Sequence, residues 1–247
     1  METKQEVLQA CTVNGNVVKL PPRKLDRTLY LAVADAIQDI GGKWKGGKTA
    51  GFVFDHDPSE LLSEIAKGAK RNLKKESQFF ETPPELADRL VDMADINHDD
   101  LLVLEPSAGR GAIIGALQRK APRVTIHCYE LLELNRSYLQ EFKGLNILGS
   151  DFLNARPILY DRIVANPPFS KNQDIQHITK MYYWLNRGGR LVTLASQHWQ
   201  GSSNKREMAF AKWARAVDAK IIPLDAAAFK ENGISVSSCI IQIDKHS

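Results

Sequence analysis

The sequence predicts a doubly wound α/β protein with a mostly parallel sheet, preceded by a small α+β unit. From about residue 78 onward, short apolar stretches alternate with amphipathic ones, which is typical of parallel strands covered by helices. Seven of these stretches have the length of strands. The chain has 247 residues, 43% of them hydrophobic and 25% charged, enough for one large domain and a small one.

Residues 1–75 are predicted to form the small N-terminal unit. The segment NVVKL is a predicted strand, and a helix with Leu29 and Val33 at helical spacing follows it. A glycine-rich turn then joins two short strands, and a further helix begins after Asp57 and Pro58. At this turn, nucleic-acid contact is predicted for Lys43, Trp44, Lys45 and Lys48. For Trp44 the alternative is a position in the core of the small unit.

A basic run separates this unit from the rest of the chain. Residues 66–75 contain five cations and no acidic residue. We therefore place the domain boundary after residue 75 and assign residues 76–247 to the large domain. The run either contacts phosphates or forms a solvated helix face, and the sequence leaves both alternatives open.

The large domain is predicted to alternate strands and helices. In chain order the predicted strands are LLVLEP, VTIHCYE, LNILGSD, DRIVANPP, GGRLVTLAS, AKIIPLD and SSCIIQIDK. The predicted helices are GAIIGALQRK, LNRSYLQEFK, QDIQHITKMYYWLN and NKREMAFAKWARAV. Because ligands of such sheets bind at the carboxyl ends of the strands, the residues that follow each strand are the candidates for a site.

Three strand ends carry residues that suit an adenosine-bearing ligand. The first ends in EPSAGRG, where small residues let the backbone approach a ligand, although an ordinary strand–helix turn would look similar. Glu130 lies nineteen residues after Gly111, a spacing that suits ribose hydroxyls, with a surface glutamate as the alternative. Asp151 can accept from an adenine amino group and Phe152 can lie against its ring; a helix cap beside a core aromatic is the alternative.

The fourth strand ends at a rigid corner, Asn166-Pro167-Pro168-Phe169. Two prolines cannot continue a central strand, because they lack the N–H donor and fix φ. The Asn166 side-chain oxygen and the Pro167 carbonyl can accept the two hydrogens of a planar exocyclic amine. Phe169 offers a face for a base turned out of its helix. A nicotinamide dinucleotide would explain the first two strand ends but not this corner, so the corner indicates a clamp for a nucleobase amine.

Five motifs follow one another along the chain: QFFETPP (78–84), LEPSAGRG (104–111), CYE (128–130), SDF (150–152) and NPPF (166–169). In this order they resemble the class I S-adenosylmethionine-dependent methyltransferases. More narrowly, the chain resembles the amino-methyltransferases that act on adenine-N6 in DNA, of phage or prophage type. The resemblance covers roughly residues 76–245, closes with the stretch AAFKENGISVSSCIIQIDK and implies a seven-stranded, Rossmann-like methyltransferase sheet.

The resemblance implies S-adenosyl-L-methionine as cofactor, with S-adenosyl-L-homocysteine as product. Glu130 would hold the ribose, Asp151 the adenine amino group and Phe152 the adenine face. The catalytic residues would be Asn166, Pro167, Pro168 and Phe169. The other implied donor contacts are Phe80, Thr82, Pro83, Glu105, Ser107, Ala108, Gly109, Gly111 and Asn166.

The resemblance favours DNA as the partner and leaves RNA as an alternative. The same tetrad occurs in enzymes that methylate guanine-N2 in RNA, while a tyrosine-ended version acts on glutamine in proteins. The alternatives are an RNA base methyltransferase, on guanine N2 or adenine N6, and a non-catalytic nucleic-acid-binding relic. The last predicted strand ends almost at Ser247, which predicts little or very short sequence specificity. Nucleic-acid contact is also predicted for Lys171, Lys205 and Arg206.

Composition argues against several other classes of protein. Three scattered cysteines, Cys11, Cys128 and Cys239, form no CxxC pair, and the six histidines show no metal-ligand spacing. We therefore expect no metal. No signal peptide or membrane-length apolar run is present, so we expect a cytoplasmic protein without a membrane partner. The net charge of +4 and pI near 8.9 permit a nucleic-acid partner without requiring one.

Overall fold

The chain divides into two compact units, Met1–Phe79 and Phe80–Ser247. Several predicted features lie outside the described residues. They are the boundary after residue 75, the end of the basic run, Phe80 with the first half of QFFETPP, and most of the stretch AAFKENGISVSS before the last strand. The computed structural model describes residues 2–54, 57–69, 81–97, 101–225 and 237–246.

Over its described residues, the N-terminal unit is a small antiparallel sheet with three helices. The strands pair in the order β1-β2-β4-β3, which leaves β3 at an edge. Helix α1 and strand β1 were not predicted, although Thr3 and Glu6 form a capping box that marks the start of α1. The strands are β1 Thr12–Asn14, β2 Val17–Lys19, β3 Lys43–Lys45 and β4 Gly51–Val53. The helices are α1 Lys4–Gln9, α2 Arg27–Asp39 and α3 Ser59–Ala66.

The second unit alternates strands and helices as predicted. Helix α4 was missed by the sequence reasoning, although Pro84 in its first turn is a common start signal. The helices are α4 Pro84–Met93, α5 Ala112–Lys120, α6 Glu133–Leu139, α7 Gln173–Tyr183 and α8 Lys205–Ala216. The strands are β5 Leu102–Glu105, β6 Thr125–Tyr129, β7 Asn146–Gly149, β8 Tyr160–Ala165, β9 Leu185–Ser196, β10 Lys220–Pro223 and β11 Ser238–Asp244.

These seven strands form one sheet in the order β10-β11-β9-β8-β5-β6-β7. All neighbours from β9 to β7 are parallel, and β11 alone runs antiparallel to both of its partners. The prediction of a doubly wound, mostly parallel, seven-stranded sheet is therefore confirmed. The chain order reverses between β5 and β8. Sheets of this kind bind their ligands at the carboxyl ends of the strands beside such a reversal.

Helices cover both faces of this sheet. On one face Leu90 of α4 and Ile114 of α5 are fully buried against the strands. On the other face Met181 of α7 and the following Trp184 pack with Tyr160 of β8. Strands buried on both faces are continuous apolar runs, which is why these strands could be predicted from the sequence. Within the part of the chain that the structure describes, no helix is long and apolar enough to span a membrane.

Candidate functional site

The turn after β5 brings backbone to the carboxyl edge of the sheet. Gly109 and Gly111 have φ values of +57° and +91°, a region that favours glycine. The Ala108 N–H donates to the Tyr129 carbonyl at 3.0 Å, which ties this turn to the end of β6. Gly111 is the first residue before α5 and its N–H donates to Ala108 at 2.8 Å. The predicted small-residue turn is therefore a tight bridge between two strand ends.

Gly111→Ala is expected to lower the free energy of unfolding by about 2–4 kcal/mol, because left-handed strain adds to overpacking. A Cβ at Gly111 would lie 2.5 Å from a Phe142 ring carbon. Urea denaturation measures the effect. Gly115→Ala is the matched control, since its Cβ would meet nothing closer than 3.5 Å within α5. A Gly111→Ala protein as stable as the control would contradict the prediction.

Glu130 follows β6 and binds three surrounding donors. Its Oε2 accepts from the Gly109 N–H at 2.7 Å. Its Oε1 accepts from the Leu132 N–H at 2.9 Å and from the Asn135 side-chain amide at 3.1 Å. The side chain is only 7% exposed. Sequence reasoning found Glu130 but missed Asn135, which lies on α6 and has no motif. The carboxylate thus links the glycine turn to the start of α6.

Two buried oxygens beside the glycine turn lack a hydrogen-bond partner among the described residues: Glu105 Oε2 and Ser107 Oγ. The other Glu105 oxygen accepts from the Ser107 N–H at 3.3 Å. Burial raises the pKa of Glu105 well above its usual value, and the charge of Glu130 adds to this, while N–H groups of Ser107 and Asn166 oppose it. Buried polar atoms without partners are rare, so this pair indicates a ligand with hydrogen-bonding groups.

The third strand end is a short 3-10 turn, Phe152–Asn154, capped by Asp151. The Asp151 carboxylate accepts from the Leu153 N–H at 2.8 Å and from the Asn154 amide at 2.6 Å. Lys180 of α7 donates to the Leu153 carbonyl at 2.7 Å, so a helix holds the turn from behind. Asp151 therefore does cap the turn, as the alternative to an adenine contact had predicted. A carboxylate offers about four acceptor sites, so a further contact remains compatible with it.

The corner after β8 contains a side-chain bond that no motif predicted. The Asn166 side-chain Nδ2 donates to the Thr82 hydroxyl at 3.1 Å. Thr82 is 5% exposed, so this bond lies in a largely dry environment. In this arrangement Nδ2 faces Thr82 and Oδ1 lies on the other branch of the amide. The structure thus brings Thr82, in the turn before α4, together with the catalytic corner proposed from the sequence.

The structure does not show the open stacking faces predicted for two phenylalanines. Phe152 is 2% exposed and its ring centroid lies 4.8 Å from that of Trp184. Phe169 is 8% exposed and belongs to the core cluster on the α4 and α5 face. Both rings are apolar side chains beside a sheet, and core packing covers them. The core-aromatic alternative for Phe152 is the one that the structure presents.

The basic residues predicted to contact nucleic acid lie in both units. Lys171, Lys205 and Arg206 are exposed in the second unit. In the first unit Trp44 is 49% exposed, and its ring meets the buried Phe52 edge-on at 5.1 Å. Strand alternation therefore places Trp44 on the core face of β3, at its rim, and its two lysine neighbours on the other face. The exposed lysines of this segment are Lys43, Lys45 and Lys48.

No protein-family model matches the sequence, and no curated protein sequence matches it significantly. Solved structures do match. One is described as a class I S-adenosylmethionine-dependent methyltransferase from Listeria monocytogenes, with TM-score 0.55 and 15% identity over 76% of this chain and 67% of that one. The chain has the class I methyltransferase fold.

Two further solved structures share this class I fold. The 23S rRNA methyltransferase ErmE matches with TM-score 0.52 and 16% identity over 68% of this chain and 70% of that one. TrmN from Thermus thermophilus matches with TM-score 0.51 and 17% identity over 91% of this chain and 69% of that one. At these identities the likeness concerns the fold alone.

Where the structure describes side chains, no cluster of His, Cys, Asp and Glu could hold a metal ion.

Proposed function

We propose that this chain transfers a methyl group from S-adenosyl-L-methionine to the N6 amine of adenine in DNA, with little or very short sequence specificity. The observation that carries the proposal is the corner after β8. There a proline-fixed backbone carbonyl and an asparagine hydrogen-bonded to the buried Thr82 lie at the carboxyl edge of a class I methyltransferase sheet. No such acceptor pair is needed by an enzyme that only binds a dinucleotide.

The donor site is proposed to lie beside the corner, along the ends of β5, β6 and β7. S-adenosyl-L-methionine, when bound, supplies a methyl group on a positively charged sulfur. Glu130 would accept from the ribose hydroxyls and Asp151 from the adenine amino group. The buried Glu105 and Ser107 oxygens without partners fit S-adenosyl-L-methionine, because its ammonium and hydroxyl groups can donate hydrogen bonds to them. The remaining predicted contacts stay part of this proposal, with Phe80 outside the described residues.

The corner is proposed to prepare the target amine. An exocyclic amine on a purine is a weak nucleophile, because its lone pair is delocalised into the ring. If Asn166 Oδ1 and the Pro167 carbonyl each accept one amine hydrogen, they favour a pyramidal nitrogen with a localised lone pair. Prolines hold these acceptors in place, which preserves the advantage of positioning. The amine needs no base beforehand, since it releases its proton to solvent after it has become cationic.

Nucleic acid would be held mainly through its phosphates. Lys171 follows the corner by two residues and is exposed, and Lys205 and Arg206 at the start of α8 are also exposed. The N-terminal unit, with its exposed lysines on β3, is proposed as an additional nucleic-acid contact. The choice of DNA rests on the resemblance of the motif NPPF and its continuation to phage-type adenine enzymes.

RNA is the second candidate substrate, and the likeness to ErmE favours it. That structure is named as a 23S rRNA methyltransferase and has the same fold at TM-score 0.52. The proposed clamp would act in the same way on adenine N6 or guanine N2 of RNA. The two candidates differ in the polymer and not in the chemistry.

The deciding experiment incubates the full chain and labelled S-adenosyl-L-methionine with unmethylated duplex DNA and, in parallel, with RNA. Nucleoside mass spectrometry then identifies the product. N6-methyladenine in DNA is expected. Label confined to RNA, or N2-methylguanine, would establish the second candidate and overturn the DNA assignment. A protein that binds the donor and labels neither polymer would be a relic of the fold or an enzyme for another substrate.

Thr82→Val is expected to lower kcat about tenfold, because the Asn166 side chain loses the buried hydrogen bond that restrains it. Thr82→Ser restores the hydroxyl and should restore kcat. Steady-state transfer at saturating substrates measures kcat, and donor titration measures the donor dissociation constant separately. The exposed Thr12 in β1 offers the matched control Thr12→Val. A Thr82→Val protein with unchanged kcat and only weaker donor binding would show that Thr82 acts on the donor instead.

A further inference from the structure

Two consecutive residues after the corner adopt a left-handed backbone conformation although neither is glycine. Lys171 has φ 55° and ψ 30°, and Asn172 has φ 59° and ψ 32°. Each such residue costs about 1 kcal/mol or more, with Asn the better tolerated. Strained backbone of this kind persists only where its surroundings hold it, and it clusters at functional sites. Something in the structure must therefore hold the segment Ser170–Asn172.

The Asn172 side chain is bonded at both ends. Its Nδ2 donates to Glu207 Oε1 at 2.9 Å, and its Oδ1 lies 2.5 Å from His198 Nε2. Hydrogen bonds from Ser202 and Asn172 lower the pKa of Glu207, so that side chain is an acceptor only. The amide orientation of Asn172 is thereby determined, and His198 Nε2 must be the donor to it. One end of the strained pair is thus anchored to α8 and to the loop after β9.

The anchor continues from His198 into the core. His198 Nδ1 is bonded to the Ser196 hydroxyl, which donates to Asp174 Oδ2 at 2.5 Å. The Ser196 N–H donates to the same oxygen at 3.1 Å. Asp174 is completely buried in the first turn of α7, and its Oδ1 accepts from the Ile175 N–H at 3.0 Å.

We propose that Asn172, His198, Ser196 and Asp174 are positioning residues that hold Lys171 beside the corner, where it contacts a phosphate adjacent to the target nucleotide. The inference rests on the proposed function, since it assumes a nucleic acid at the corner. The chain of bonds links the segment after the corner to the end of β9 and the starts of α7 and α8. Because the backbone of Lys171 is already held in place, only its side chain loses freedom on binding a phosphate.

The test is the affinity for a labelled 20-base-pair unmethylated duplex, measured by fluorescence anisotropy at several salt concentrations. Lys171→Ala is expected to lower the slope of log Kd against log salt by about 0.9, the value for one phosphate contact in duplex DNA. His198→Ala should lower that slope equally and raise Kd about fivefold, as expected for the loss of one hydrogen bond. The double variant should match Lys171→Ala alone, because both changes remove the same contact.

Three controls separate positioning from general damage. His198→Gln keeps a donor toward Asn172 and should stay within about twofold of the unmodified protein, because one hydrogen bond is retained. The exposed His246 supplies the matched control His246→Ala. Thermal unfolding shows whether each variant is folded. An unchanged salt slope in His198→Ala, or additive effects in the double variant, would overturn the inference.

The failure of this inference is distinguishable from failure of the proposed function. If the unmodified chain methylates DNA but His198→Ala retains the salt slope, the proposed function stands and the positioning role is wrong. If the chain binds DNA with the expected coupling but transfers no methyl group, the positioning role stands and the proposed chemistry is wrong. If the chain does not bind the duplex, both are wrong.

Discussion

Asn166→Ala should lower kcat for methyl transfer by about 10²–10³-fold, the usual effect of removing one preorganised polar group that acts on the reacting atoms. The Ala variant keeps the Pro167 carbonyl but loses the second acceptor for the amine hydrogens. It also leaves the buried Thr82 hydroxyl without the amide that contacts it at 3.1 Å. Steady-state transfer of labelled methyl groups at saturating substrates measures the effect. Donor affinity should change less than about fivefold, because Asn166 would contribute one hydrogen bond to the donor at most.

Asn166→Asp is the informative companion to that variant. Aspartate keeps an acceptor oxygen at the same place, and the Thr82 hydroxyl can donate to its second oxygen. We expect activity at least tenfold above that of Asn166→Ala. The exposed Asn14 in β1 provides the matched substitution Asn14→Ala. A protein with Asn166→Ala that retains more than a tenth of kcat would rule out the clamp as the source of catalysis.

Glu130→Ala should weaken donor binding about 100-fold, because the proposed charge-assisted hydrogen bond to the ribose is lost together with the carboxylate that anchors the glycine turn. It also removes the acceptor for the Gly109 and Leu132 N–H groups and for the Asn135 amide. We therefore expect a fall in the free energy of unfolding of about 1–3 kcal/mol as well, the cost of unsatisfied buried donors. Isothermal titration with S-adenosyl-L-homocysteine and urea denaturation measure the two effects.

Two further variants separate the two roles of Glu130. Glu130→Gln keeps the size of the side chain but replaces one acceptor oxygen by a donor, so donor binding should weaken about tenfold with a smaller loss of stability. Glu133→Ala, an exposed position in the first turn of α6, is the matched control. Unchanged donor affinity in Glu130→Ala would place the ribose elsewhere.

The sequence by itself determined the order of strands and helices in the large domain and the residues at the strand ends. A strand buried on both faces must be apolar along its length, and the prolines after β8 cannot continue a strand, so both features are local. Glu130, Asp151 and Asn166 follow their strands where the pattern placed them. The sequence reasoning missed α1 and β1, which are too short to show a period, and it missed α4 although the buried Leu86, Leu90 and Val91 of that helix lie at helical spacing.

Only the tertiary structure decided which of those residues meet. Thr82 and Asn166 are 84 positions apart, and Gly109 and Glu130 are 21 apart, so no local pattern pairs them. The sequence could not show whether the two phenylalanines are buried, because an aromatic residue after a strand can face either a ligand or the core. Packing covers Phe152 and Phe169 in this fold. Contacts between distant segments depend on how the sheet closes, and that depends on all of its layers at once.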